Sequence, residues 1–207
     1  MTTQARQSTE LRQAEIIATM LHLAAERNPA DITTTDIAKA MRVTQGALFR
    51  HFATKEAIRL AVVEWIEAQL LGALLAAREA APDALAALRT MFLAHVRFAQ
   101  AYPGVPRLIF AELQQAEASP VRLVVHKIMQ RYRQVLAETL SLAMAAQRVR
   151  PDIDCQAAAS LFLGAIQGLV IQSMLSGAEA AVEGQAEAVL ALYLAMVCAV
   201  FTPQTLE

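Results

Sequence analysis

Between Ile32 and Ile58 the chain reads ITTTDIAKAMRVTQGALFRHFATKEAI, and the spacing of its capping residues leaves few folds open. Thr33 with Asp36 three residues later forms a capping box, in which hydroxyl and carboxylate serve backbone N–H groups at a helix start. Ile37, Ala38 and Met41 then make one apolar stripe, so Thr35 to Met41 is expected to be about two turns of helix. Arg42-Val43 carries a turn, Thr44 caps a second short helix from Gln45 to Phe52, and Thr54 caps a third entered at Lys55-Glu56. Two minimal helices with small residues at their crossing, the second with a polar face, are the signature of a helix-turn-helix. Such a module presents its second helix to the DNA major groove.

The rest of the chain carries the same helical period. Leu11, Ala14, Ile17, Ala18, Leu21, Ala24 and Ala25 place a first helix over residues 9–26, stopped by Asn28-Pro29. From Thr54 an apolar-rich pattern runs to about Ala80, and Pro82-Asp83 starts another helix, to about Tyr102. Pro103-Gly104 and Pro106 turn the chain into a shorter helix, Arg107 to Gln115. Ser119-Pro120 opens a long one to about Gln147. Asp154 caps the next, Cys155 to Leu175, which Gly177 ends, and a last helix covers roughly Glu183 to Phe201. Glycine and proline number only seven each, and β-branched runs are scarce. The expected fold class is therefore all-α, with about nine helices. A three-helix module over residues 1–53 holds the helix-turn-helix at about 32–51, and a long fourth helix joins it to a C-terminal bundle within residues 54–207.

Net charge is −1, so bulk charge offers no argument for nucleic acid. Its distribution does: +2 over residues 1–60 and −3 over the remainder, and only a DNA-facing surface has to be positive. Cys155 and Cys198 have no disulfide-framework or metal spacing; they read as small buried apolar residues, with redox sensing as the alternative. The N-terminus lacks an apolar signal core, so a cytoplasmic protein is expected. Cys155–Ala178 and Ala188–Leu206 carry no charge, but the first holds Gln156, Ser160, Gln167, Gln172, Ser173 and Ser176, and the second has a compact apolar run only to Phe201. Buried helices at a subunit interface are expected from them, and not a membrane span. No metal or other cofactor is expected, since His95 and His126 have no acidic or sulfur partner at ligand spacing.

The segment resembles the TetR (TetR/AcrR) family of bacterial transcriptional regulators. The residues that carry the likeness are Thr33, Thr34, Ile37, Ala38, Met41, Val43, Thr44, Gly46, Ala47, Leu48, Phe49, His51, Phe52, Thr54, Lys55 and Ile58. The helix count and the long fourth helix extend it along the chain. Two positions depart. Arg42 stands where the family has a turn glycine, at a cost on the order of 1 kcal/mol if it is left-handed, while adding a cation beside the DNA. Phe49 stands where the family has tyrosine and has no hydroxyl to bond a phosphate.

The resemblance puts Gln45, Gly46, Ala47, Phe49, Arg50 and His51 on or near the major-groove face, and their chemistry agrees. An amide at Gln45 suits adenine, Gly46 and Ala47 admit a close backbone, Ala47 can touch a thymine methyl, and Arg50 can read guanine or clamp a phosphate. The alternatives are a solvated first-turn Gln45 and a plain surface Arg50. Thr33, Thr34, Thr44 and Lys55 suit phosphate contact through hydroxyls, helix-start N–H groups and an ammonium, with Arg42 beside them. In the bundle, Phe92, His95, Phe98, Tyr102, Phe110, Met129, Tyr132, Phe162, Ile166 and Met174 form either an apolar pocket with polar points at His95 and Tyr132 or a plain core. In the family such a pocket holds a small-molecule effector, which here would be apolar or amphipathic.

Ser160, Gly164 and Gly168 recur every four residues, continued by Ile171 and Leu175, so that another helix can approach closely. The resemblance makes this face the dimer interface; intrachain packing of the same face is the alternative. The reading that follows is a homodimeric, ligand-responsive repressor binding a palindromic double-stranded DNA operator. The alternative is a structural or nucleoid-type DNA binder without an effector. No nucleophile–base pair, paired carboxylates, phosphate loop or metal cluster points to an enzyme.

Overall fold

The structure is a computed structural model that describes residues 2–115, 119–176 and 182–198. Among these residues there are nine α-helices and no strand, so the chain is all-α as the sequence predicts. They are α1 (Thr2–Glu26), α2 (Thr34–Ala40), α3 (Gln45–Phe49), α4 (Lys55–Glu79), α5 (Ala84–Ala101), α6 (Gly104–Leu113), α7 (Pro120–Ala145), α8 (Cys155–Ser176) and α9 (Val182–Cys198). A 3-10 turn, Pro29–Asp31, follows α1.

The helix starts lie where capping chemistry puts them. Thr33 and Asp36 exchange both bonds of the capping box. Thr44 accepts from Ala47 N–H at 3.2 Å, Thr54 from Ala57 N–H at 3.0 Å, and Ser119 from Arg122 N–H at 3.0 Å. Asp83 and Asp154 do the same for α5 and α8. Boundaries differ by three residues or more in three places. α1 reaches back to Thr2, and α3 stops at Phe49 because Leu48 O takes both His51 N–H and Phe52 N–H, closing the last turn early. α6 begins at Gly104 rather than Arg107: Pro106 falls in its first turn, where a missing N–H costs no helical bond. Gly177 and the expected end of the last helix at Phe201 lie outside the described residues.

The chain divides into two compact units. The first comprises Met1–Gln69 and Ala101–Ile128, the second Leu70–Gln100 and Met129–Glu207. In the first, Ile16, Met20 and Ala24 of α1 are buried with Ile37, Leu48, Ile58, Val62 and Leu108. α6 belongs to this unit and packs on α1. In the second, Leu88, Phe92, Tyr132, Leu136, Phe162, Ile166, Leu190 and Val197 are buried, and α8 packs on α9. Burying such side chains at about 25 cal/mol per Å² of apolar surface supplies most of the drive to fold. Helices α4 and α8 are long and apolar enough to cross a membrane by length and composition, and a third of each apolar stretch is buried inside the protein.

Candidate nucleic-acid interface

The turn between α2 and α3 is closed by backbone alone. Arg42 N–H bonds Lys39 O at 3.1 Å and Val43 N–H bonds Ala38 O at 2.9 Å, with Arg42 at φ 57°. That is a Schellman ending with an arginine in the left-handed position that glycine favours. Arg42 is thereby held exposed at the turn. Thr33 is exposed and Thr34 half-buried at the start of α2, and Thr44 is exposed at the start of α3. The Thr33 hydroxyl and N–H on Asp36 hold that carboxyl below its ordinary value of 3.8, with a smaller effect from Arg27.

Along α3, Gln45, Gly46 and Phe49 are exposed, as is Arg50 at its C-cap. A side chain added at Gly46 would meet open space, so a partner can come up to the backbone there. Phe49 keeps 42% of its surface in solvent, which is unusual for an aromatic side chain in a monomer. Gln45 Nε2 donates to Thr34 Oγ1 at 2.7 Å. Ala47 and His51 are half-buried and turn toward α1, lining a cleft of about 200 Å³ with Arg12, Ile16, Met41, Val43 and Arg50. Gln13 Nε2 donates to His51 O at 3.2 Å, while His51 Nδ1 is buried without a hydrogen-bond partner.

Lys55, the first residue of α4, is half-buried and donates to Ala30 O at 3.3 Å. Burial, then the neighbouring Arg59, pushes its ammonium below the ordinary lysine value. Arg59 in turn reaches α6: its Nε donates to Glu112 Oε1 at 2.6 Å, and the Glu112 side chain is only 3% exposed. Arg12 and this Arg59–Glu112 pair escape a sequence reading. Each depends on contacts between helices far apart in the chain, 53 residues in the case of the pair.

The aromatic residues separate between the units. In the second, Phe92 and Phe162 meet edge to face at 5.1 Å, and Phe162 meets Tyr193 of α9 in the same way at 5.4 Å. The Tyr193 hydroxyl donates to Ala158 O at 3.1 Å. The place of Tyr193 on the buried face of α9, with Ala186, Leu190 and Val197, follows the helical period, which is the signal that marks it in the sequence. Ile166 and Phe98 are buried, Met129 is half-buried and Met174 is exposed. His95 Nδ1 lies 3.1 Å from the hydroxyl of fully buried Tyr132. Desolvation lowers the imidazole to about 4 and raises the phenol well above 10. A neutral imidazole accepting the phenol hydrogen satisfies both groups. Tyr102 and half-buried Phe110 fall in the first unit. There Tyr102 meets Trp65 edge to face at 5.0 Å and lines a cleft of about 260 Å³ with Ala14, Ile17 and Leu21.

The small-residue stripe of α8 is open. Ser160, Gly164, Ile171 and Leu175 are exposed and Gly168 is half-buried, while Ala159, Phe162 and Ile166 turn inward. On α9, Leu192 is 73% exposed and Met196 37%. Among the described residues no cluster of three His, Cys, Asp or Glu side chains forms a metal-binding set, and Cys155 and Cys198 are free.

Residues 16–62 match the family model of bacterial regulatory proteins of the tetR family. Residues 81–189, about half the chain, match the tetracyclin repressor-like C-terminal domain. Among curated proteins, the nucleoid occlusion factor SlmA of Marinomonas sp. is 24% identical over 159 residues, which is 77% of this chain and 81% of that protein. SlmA of Haemophilus ducreyi is 28% identical over 123 residues, 59% of this chain and 61% of that one. Among solved structures, the regulator FadR of Bacillus subtilis in complex with stearoyl-CoA has a TM-score of 0.78 at 18% identity, covering 89% of this chain and 98% of that one. The ketosteroid regulator KstR2 of Mycobacterium tuberculosis has 0.75 at 18%, covering 90% and 95%. These are transcriptional regulators and nucleoid occlusion factors, not enzymes, and the solved ones share this chain's fold. A capped helix-turn-helix followed by a matching C-terminal domain makes this chain a member of the TetR family of bacterial regulatory proteins, a DNA-binding regulator.

Proposed function

We propose that the chain represses transcription in the cytoplasm by binding a palindromic operator as a homodimer, and lets go when a small apolar or amphipathic molecule enters its second unit. Members of the family bind DNA and act as dimers, some with small-molecule effectors. The observation that carries the reading is α3, a short, capped helix on which Gln45, Gly46 and Phe49 are exposed, with Arg50 exposed at its C-cap. Gln45 and Arg50 offer hydrogen bonds to base edges, Gly46 lets the backbone approach, and Phe49 offers apolar contact to a thymine methyl or a sugar. Thr33, Thr34, Arg42, Thr44 and Lys55 would hold phosphates around it, with Ala47 and His51 supporting the helix from behind.

The exposed face of α8 with Leu192 and Met196 of α9 supports the dimer: an apolar, small-residue surface in a chain of this size fits a second copy. Two recognition helices on one twofold axis then set the spacing of half-sites. For the effector, His95 and Tyr132 give one polar point among Phe92, Phe98, Phe162 and Ile166, which suits a mainly apolar molecule. Stearoyl-CoA and ketosteroid, named for two structural relatives, are the first ligands to try.

Selection of bound sequences from a random DNA pool tests the operator and the dimer together. A palindrome with half-sites about one helical turn apart is expected, and an asymmetric site overturns the dimeric docking. Operator binding titrated with long-chain acyl-CoA and with a steroid tests the release. Linkage requires the ligand to weaken DNA as much as DNA weakens the ligand. One observation favours a second reading, a nucleoid-type binder with no effector: curated relatives carry the name nucleoid occlusion factor. Sequence-tolerant binding at many chromosomal sites, indifferent to every ligand tried, is its signature.

A further inference from the structure

Gln45 is exposed at the first position of α3, yet its amide is already engaged. Nε2 donates to Thr34 Oγ1 at 2.7 Å, across the crossing of α2 and α3. Thr34 is not needed as a cap. That work belongs to Thr33, whose hydroxyl accepts Asp36 N–H and donates to the Asp36 carboxylate. The Thr34 hydroxyl is therefore available to Gln45, and its own hydrogen is not used in that bond.

We propose that Thr34 is a positioning residue that sets which way round the Gln45 amide meets a base pair, and does so only while its hydroxyl donates to a DNA phosphate. The proposal rests on α3 being the recognition helix. A terminal amide can turn by half a revolution, exchanging its donor and acceptor ends. A free hydroxyl tolerates both orientations, because it can accept from Nε2 or donate to Oε1. A phosphate oxygen removes that freedom. As a charged acceptor it outcompetes the neutral amide oxygen for the hydroxyl hydrogen. The Thr34 oxygen can then only accept, and Nε2 must face it.

What remains of the amide is one acceptor, Oε1, and one N–H. In the major groove that pair matches the N6–H donor and N7 acceptor of adenine and no other base edge as a two-bond contact. A phosphate contact, which by itself carries no sequence information, thus becomes the condition for reading one base. Off-register DNA, with no phosphate at Thr34, leaves the amide free to turn and the reading lost.

The test uses the full chain and operator duplexes carrying each of the four base pairs at the position where Gln45→Ala loses its preference. The wild-type protein is expected to favour A·T there by roughly tenfold, within the range of one bidentate contact. Thr34→Val keeps the shape and deletes the hydroxyl, and should cut that preference to about twofold while leaving the thermal midpoint unchanged. Thr34→Ser should restore it. Thr34→Val that weakens all four duplexes by one common factor overturns the proposal, since Thr34 would then be a phosphate contact alone. So does a Gln45-dependent preference for a pair other than A·T. If Gln45→Ala changes preference at no position, the reading of α3 as the recognition helix falls, and the proposal with it.

Discussion

Gly104 in the first unit and Gly164 in the second lie on helices with opposite surroundings. A Cβ at Gly104 would stand 2.0 Å from Leu21 O and 3.1 Å from Ala25 N, so α6 and α1 touch backbone to backbone. At Gly164, and at Gly168 one turn on, no atom of the described residues outside the helix's own backbone lies within 4 Å. A glycine in mid-helix costs about 1 kcal/mol relative to alanine. Gly104 opens α6, where that cost is smaller, and the α1 contact explains the glycine within the chain. On α8 nothing among the described residues uses the gap. A small residue on a helix therefore says that a close approach is permitted, without saying what approaches. The first unit answers the question internally, and the proposed dimer is the answer for the second.

The contrast breaks if Gly104→Ala is tolerated. Its methyl has only backbone to displace, so a destabilisation on the order of 3 kcal/mol is expected, against the small gain in helix propensity. Urea unfolding followed by circular dichroism reads it; a midpoint at or above wild type would mean α1 and α6 are not in contact in solution. Gly164→Leu should do the reverse, leaving the fold of each copy intact and weakening self-association by on the order of tenfold or more. Sedimentation equilibrium decides: an unchanged dimer places the interface on some other surface.

These two glycines also show what a sequence can disclose. The helix starts were legible because a cap is local: Thr33 with Asp36, Thr44, Thr54, Ser119 and Asp154 all act within three residues of themselves. The helix-turn-helix was legible for the same reason, since α2 and α3 are neighbours in the chain. The second unit was not. Phe92, Phe162 and Tyr193 come from three helices separated by long stretches of chain, and an apolar stripe looks the same whether it lines a core or a pocket. Likewise Tyr102 and Phe110 read as companions of Phe92, but α6 packs on α1, an arrangement that depends on Gly104 and not on the aromatic pattern.

Acid should reach the two units at different pH. His95 is neutral in the folded second unit, its imidazole lowered by burial from 6.5 to about 4. The unfolded chain takes up that proton first, so stability is full above about 6.5 and falls as pH drops toward 4, by up to about 3 kcal/mol. Asp36 in the first unit, held down chiefly by Thr33, loses its contribution only as pH falls below its ordinary 3.8. Urea midpoints should therefore decline between pH 6.5 and 4, and His95→Gln, which keeps an acceptor for Tyr132, should flatten that decline. An unchanged slope in the variant would assign the acid sensitivity elsewhere.

The smallest expected effect lies in the turn. Arg42 holds φ 57° with its cation exposed beside α3, so fold and proposed function pull in opposite directions at this one residue. Arg42→Gly removes left-handed strain at the end of α2 and should stabilise the chain by about 1 kcal/mol. If Arg42 contacts phosphate, the same change should weaken operator binding alike for all sequences and lower the slope of log affinity against log salt by about one. A gain in stability with no change in salt slope would leave Arg42 as a strained turn residue with no part in binding. A loss of both would mean that its side chain supports the turn itself. Stability raised and binding lowered together would show the first unit accepting strain in order to place a charge.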